Sequence, residues 1–201
     1  MGRVASAAVH VGIVAIPEAG LATLSGIFDV LNSLAWLDGH EGLPAGPTFQ
    51  VELLGEAADP VPLASGVTLP LHGAAPGRSC DIVIVPSLFV RGTGWKGGRY
   101  PDLARWIVER HRAGATICSA CSGLFLIAET GLFDGVDATV HWPYARMFGA
   151  QYPAVRVHPD RALVVSGQRG ELISSGASTS WHDLVLYLIG REAGPAAARA
   201  V

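Results

Sequence analysis

Cysteine is the residue of this chain best equipped to attack or sense a small molecule, and Cys121 has the neighbours such a role needs. From Ala115 to Leu126 an apolar β-type run, Ala115-Thr116-Ile117-Cys118, meets the small residues Ser119-Ala120-Cys121-Ser122-Gly123 and becomes helix-like from Ser122 onward. Small residues two before and two after the thiol make the pattern of a nucleophile elbow. A sharp strand-to-helix turn strains the nucleophile's backbone and crowds its flanks, which must therefore be small. The free N–H groups of the new helix would point at the thiol, lower its pKa and hold an anion. The same residues also fit a buried structural cysteine at a strand end.

A catalytic thiol needs a base, a group that holds the base, and donors for an oxyanion. Ser122 follows Cys121 directly, so no adjacent residue supplies a base. His141, at the end of an expected strand Ala138–His141, can reach the same rim; its other role is to pack against Trp142 and cap a turn. His182 and Asp183 open the last helix and read as structural or rim-lining. Cys118 and Cys121 form a C-x-x-C, but a redox pair of the thioredoxin kind would put its first cysteine at the helix N-terminus, and Cys118 falls on the strand. Zinc would need a second ligand pair. No metal and no cofactor is expected.

The elements that must position Cys121 are legible from periodicity. Ala8–Ile16 and Asp81–Pro86 are continuous apolar runs ending at a proline, the signature of central parallel strands buried on both faces. Leu24–Leu37 has helical spacing. Gly39–Pro47 reads as a loop, Phe49–Leu54 as a strand and Val61–Leu71 as a short β excursion. Arg91–Arg99, with four glycines in nine residues, lacks the Gly-Lys-Ser/Thr of a phosphate loop and reads as a mobile surface loop beside the site. Pro101 opens a helix to about Arg112. After the elbow come a short helix Tyr144–Phe148 and strands at Arg156–Val157, Ala162–Val165 and Glu171–Ser174. A last helix, capped by Ser178 or Thr179, ends at Gly194–Pro195 before an alanine-rich tail. Strands alternating with helices predict one α/β domain over 1–201, a doubly wound, mostly parallel sheet with helices on both faces.

Composition narrows the function classes. With 201 residues, half of them apolar and 15% charged, the chain can bury a full core. A net charge of −3 argues against nucleic-acid binding by this segment, which would want a basic face. Apolar runs stay short of the ~18–20 residues of a membrane span, and the N-terminus has no signal-peptide pattern, so a cytoplasmic protein is expected. Three cysteines make no disulfide framework at this length.

Three stretches carry a resemblance: Ser119-Ala120-Cys121-Ser122-Gly123-Leu124-Phe125-Leu126-Ile127-Ala128-Glu129-Thr130-Gly131-Leu132-Phe133-Asp134-Gly135, then Ala138-Thr139-Val140-His141-Trp142, then Ile173-Ser174-Ser175-Gly176-Ala177 with the helix Asp183–Ile189. Together they resemble the ThiJ/PfpI group of the class I glutamine amidotransferase-like, flavodoxin-like fold. The match is with the branch that forms the N-terminal sensing half of AraC-family transcriptional regulators. The resemblance implies a homodimer and a small effector bound near the elbow. Residues 190–201 look like the start of the linker to a DNA-binding part outside this chain. Enzymes of the group, isonitrile hydratases among them, place an acidic side chain from the first strand–helix connection beside the thiol. Aligning Gly26-Ile27-Phe28-Asp29-Val30-Leu31 with the family's helix start puts Thr23 at that position, with Glu18 five residues early. His158-Pro159-Asp160 mimics the His-Pro-Glu of the amidotransferase triad but reads as a surface turn.

The expectation is therefore an effector-binding domain whose pocket has Cys121 at its floor and Thr23, Ser122 and His141 at its edge. DNA would be reached only through another domain, and the membrane not at all. The alternative is a cysteine-dependent hydratase or hydrolase with Cys121 as nucleophile. A third possibility is oxidation sensing, with Cys118 resolving an oxidised Cys121.

Overall fold

The computed structural model describes residues 8–37, 48–92 and 94–201; the loop expected over Gly39–Pro47 lies outside them. Strand β1 (Val9–Val14) leads into helix α1 (Leu21–Leu37), then β2 (Phe49–Gly55), the short β3 (Val61–Pro62), β4 (Thr68–Leu69) and β5 (Gly73–Ala74), and β6 (Ile82–Val85). Helix α2 (Pro101–Arg112) connects to β7 (Thr116–Ala120). A single 3-10 turn, Cys121–Gly123, opens α3 (Leu124–Ala128). There follow β8 (Asp137–Ala138), α4 (Trp142–Gln151), β9 (Arg156–Val157), β10 (Leu163–Ser166), β11 (Leu172–Ser175), α5 (Trp181–Glu192) and α6 (Pro195–Ala200).

Seven strands form one sheet in the order β10-β11-β7-β6-β1-β2-β5. Every neighbouring pair is parallel except β10–β11 at the edge. The continuous apolar runs explain the centre: every residue of β6, β7 and β11 is buried, as are the last four of β1. Such strands must be covered on both faces, and right-handed crossovers supply the cover. From β1 the chain winds to β2 on one side, and from β6 to β7 on the other, so α1 and α2 fall on opposite faces. Helix α1 packs against α5, and α2 against α3. The first contact is close because Gly26 has no side chain; a Cβ there would lie 2.4 Å from the Trp181 ring.

Three expectations are corrected. Of the expected strand Ala138–His141 only Ala138 lies in a strand, β8, which pairs in parallel with β9 in a separate two-stranded ladder. His141 instead precedes α4, which starts earlier than expected because Pro143 in the first turn favours a helix start. Residue Ser180, not Ser178 or Thr179, holds the cap position of α5, with no side-chain cap bond. The alanine-rich tail is helical, as alanine's propensity favours once Pro195 has opened the turn.

His158 is structural. Its Nε2 and the Nε of Arg156 both lie 2.9 Å from Asp137 Oδ1, fastening β8 to the chain around β9. Arg156 first and His158 second hold the Asp137 carboxyl down at about 2.

Candidate functional site

Between β1 and β6 the winding of the sheet reverses. In open α/β sheets a crevice forms at such a point, outside the carboxyl ends of the strands. Here the loops leaving β1, β6 and β7 meet. Gly20 N–H donates to the Ser87 carbonyl at 2.7 Å, and Phe89 N–H to the Glu18 carbonyl at 2.7 Å. Thr23 Oγ1 and Ser87 Oγ share a hydrogen bond of 2.7 Å. The Ser122 hydroxyl donates to the Leu88 carbonyl at 2.6 Å and accepts the Leu88 N–H at 2.8 Å. Elbow and β6 loop are thus clamped together by one buried hydroxyl.

At the centre of the crevice Cys121 has φ +56°, the sole positive φ outside glycine among the described residues. That is the strained backbone an elbow requires. The flanking requirement is met at Gly123, where a Cβ would lie 2.3 Å from the Val85 carbonyl oxygen and 2.6 Å from that of Pro86.

A cavity of about 250 Å³ opens beside the thiol, and Thr23, Cys121, Ser122 and His141 all line it. The structure therefore brings the four residues singled out from the sequence to one place. His141 comes from the approach to α4, with Nε2 3.5 Å from Ser178 Oγ. Sequence reasoning missed Ser87, Leu88, Phe89, Tyr144 and Ser178. Ser87 to Phe89 follow the proline that ends β6, and the carboxyl-end rule could have found them. Ser178 and Tyr144 are brought in by tertiary packing alone. Glu18 goes elsewhere: its carboxylate is held by the Tyr100 hydroxyl at 2.6 Å and by Arg99.

Electrostatics correct the expectation of an activated thiol. Burial pushes the Cys121 thiol above its ordinary value, outweighing the Ser122 hydroxyl and N–H that favour the thiolate. The helix dipole is weak here because α3 has five residues behind a 3-10 turn. Burial also lowers His141, keeping its ring neutral at neutral pH. Cys118 is wholly enclosed on β7 and its thiol is raised to about 12, so it is poorly placed to resolve an oxidised partner. Iodoacetamide alkylation of Cys121, followed by mass spectrometry, should therefore keep accelerating past pH 9.0, the ordinary thiol value. A rate that levels off near pH 7 would contradict this electrostatic picture.

Residues 95–99, the second half of the stretch expected to be a mobile loop, are fastened by hydrogen bonds. Trp95 is 5% exposed and its indole N–H donates to the Glu129 carboxylate; Gly98 N–H donates to the same carboxylate at 2.6 Å. Gln151 Nε2 adds a bond of 2.9 Å to the Trp95 carbonyl.

Known structures share this fold. An AraC family transcriptional regulator from Pseudomonas putida superposes with a TM-score of 0.75 at 18% identity, over 96% of both chains. A ThiJ/PfpI family protein from Pseudomonas syringae gives 0.76 at 17% identity, over 98% of this chain and 74% of that one. The fold is that of ThiJ/PfpI-type domains. No protein-family model matches the sequence, but individual proteins do. The HTH-type transcriptional regulator CdhR of Pseudomonas aeruginosa is 30% identical over 148 residues, 73% of this chain and 42% of the regulator. The isonitrile hydratase of Pseudomonas putida is 27% identical over 184 residues, 90% of this chain and 71% of the enzyme. The chain thus spans under half the length of the regulator it matches. Among the described residues no helix is long and apolar enough to cross a membrane, and no cluster of side chains is arranged to hold a metal ion.

Proposed function

We propose that this chain is the effector-sensing part of an AraC-type transcriptional regulator. A small molecule would enter the cavity at Cys121 and alter how two copies of the chain, and the DNA-binding parts attached to them, are arranged. The observation that carries this reading is the lining of the cavity. Around the thiol stand the hydroxyls of Thr23, Ser87, Ser122, Tyr144 and Ser178 with the neutral His141, and no carboxylate. A hydroxyl at Thr23 can hold a ligand by hydrogen bonding, whereas it cannot take a proton from the thiol at neutral pH. Buried and protonated, Cys121 serves as a small soft wall rather than a nucleophile. The similarity to CdhR supports the same reading.

The similarity to isonitrile hydratase favours a second reading, hydration of an isonitrile at Cys121. One pair of experiments separates the two. Deleting the gene in its source organism should change the transcript level of specific genes. A chromosomal Thr23→Trp variant, which fills the cavity, should leave those genes unresponsive to their inducing growth condition. Purified protein incubated with cyclohexyl isonitrile should return it unchanged. Isonitrile consumption that disappears in Cys121→Ala, with transcripts unaffected by the deletion, would overturn the regulator.

A further inference from the structure

The cysteine cavity has a neighbour of different chemistry. Phe89, half exposed, forms a wall of both. On its other side lies an opening of about 390 Å³ whose charged lining is Glu18, Arg91, Lys96 and Arg99. In a chain of net charge −3, three cations here face one carboxylate, and that carboxylate is spent. Burial alone would raise Glu18, but the Tyr100 hydroxyl and Arg99 hold it below the usual carboxylate range. Both of its oxygens are engaged, one by each partner. Arg99 is spent as well, paired to Glu18 and stacked over Trp95 at 4.5 Å from the ring centroid. Arg91 and Lys96 have no ion-pair partner among the described residues.

The segment carrying Lys96 is fastened on several sides. Trp95 and Gly98 hang from Glu129, the Trp95 carbonyl is held by Gln151, and Arg99 Nε donates to the Lys96 carbonyl at 2.9 Å. The remaining lining is mainly apolar, from Pro17, Pro62, Ala64, Val90 and the Trp95 ring. A preformed concavity with an apolar wall and a few converging polar groups is the usual form of a small-molecule site. A guanidinium and an ammonium that line one opening can each bind an oxyanion by charge-assisted hydrogen bonds.

We propose that this second opening binds a small carboxylate with an apolar body, with Arg91 and Lys96 taking the carboxylate and the proline–tryptophan wall taking the body. An inorganic ion would gain nothing from that wall and would give up its hydration. This site is independent of what the cysteine cavity binds.

Benzoate is the probe, with benzamide as the uncharged body and inorganic phosphate as the bodiless anion. Titration of the whole chain is followed by calorimetry, and by NMR of the Trp95 indole N–H and the His141 ring. Benzoate should shift Trp95 and leave His141 in place. Benzamide and phosphate should each bind about tenfold more weakly or worse. The double variant R91Q/K96Q, changed at two exposed positions, should melt like the parent and lose at least about tenfold in benzoate affinity. Benzoate that shifts His141 instead, phosphate that binds as tightly, or affinity unchanged in R91Q/K96Q would each overturn the site.

Discussion

Phe125→Ala should lower the unfolding free energy by about 3–5 kcal/mol, the usual cost of emptying a fully buried phenylalanine position. Phe125 has no exposed surface. Its ring meets Phe148 edge-on at 5.0 Å, Tyr144 at 6.1 Å and Tyr152 at 6.2 Å. Phe125 lies on α3, directly behind the elbow, while its three partners lie on or at the end of α4, which His141 precedes. The cluster therefore does more than fill the core: it sets the distance between Cys121 and His141. For a chain of this size the loss corresponds to a fall of roughly 6–20 °C in Tm. Urea unfolding with near-ultraviolet circular dichroism would measure it. Phe125→Leu, which keeps most of the volume, should cost less than about 1.5 kcal/mol. Equal costs for the two variants would mean that the ring is not what holds α4 against the elbow.

The second large effect is expected at Gly123, from the opposite cause. An added methyl group there would sit 2.3 Å from the Val85 carbonyl oxygen and 2.6 Å from the Pro86 carbonyl oxygen. Both obstacles are backbone atoms, one of them in a central strand of the sheet, so they cannot swing aside as a side chain would. Gly123→Ala should therefore cost about 3 kcal/mol, at the upper end of ordinary overpacking. Gly149 supplies the contrast. It lies within α4, its backbone needs no positive φ, and a Cβ there meets nothing within 4 Å. Gly149→Ala should stabilise by about 0.5–1 kcal/mol, the ordinary difference between the two residues in a helix. Chemical denaturation of both variants decides the matter. If Gly123→Ala unfolds at the parent's midpoint, elbow and β6 are not as close as described.

Much of this molecule can be derived from its residue order. Apolar runs ending at prolines announced the strands β1 and β6, because a strand covered on both faces has no use for alternation. The small residues around Cys121 announced the elbow, since a Cβ at Gly123 has nowhere to go. Cys121 and Ser122 were singled out by the elbow pattern, His141 by its expected place after the elbow and Thr23 by the family resemblance. The structure groups them on one cavity through three loops that share the carboxyl end of the sheet.

The rest depends on distance across the fold. Local pattern placed His141 on a strand; packing of Phe125 against α4 and the proline in its first turn place it at a helix start. The elbow motif suggested a low thiol pKa, yet burial raises it, because desolvation comes from the whole surrounding core rather than from the neighbouring residues. Glu18 and Arg99 lie 81 residues apart, and their pairing occupies the carboxylate of an opening whose Arg91 and Lys96 have no ion-pair partner among the described residues. Sequence by itself determined the sheet, the elbow and the identity of the thiol, since these follow from short-range sterics and from period. Only the tertiary structure decided the protonation of that thiol, the hydroxyl lining of its cavity and the basic opening next to it. Each of those depends on which distant groups end up within a few ångströms of one another.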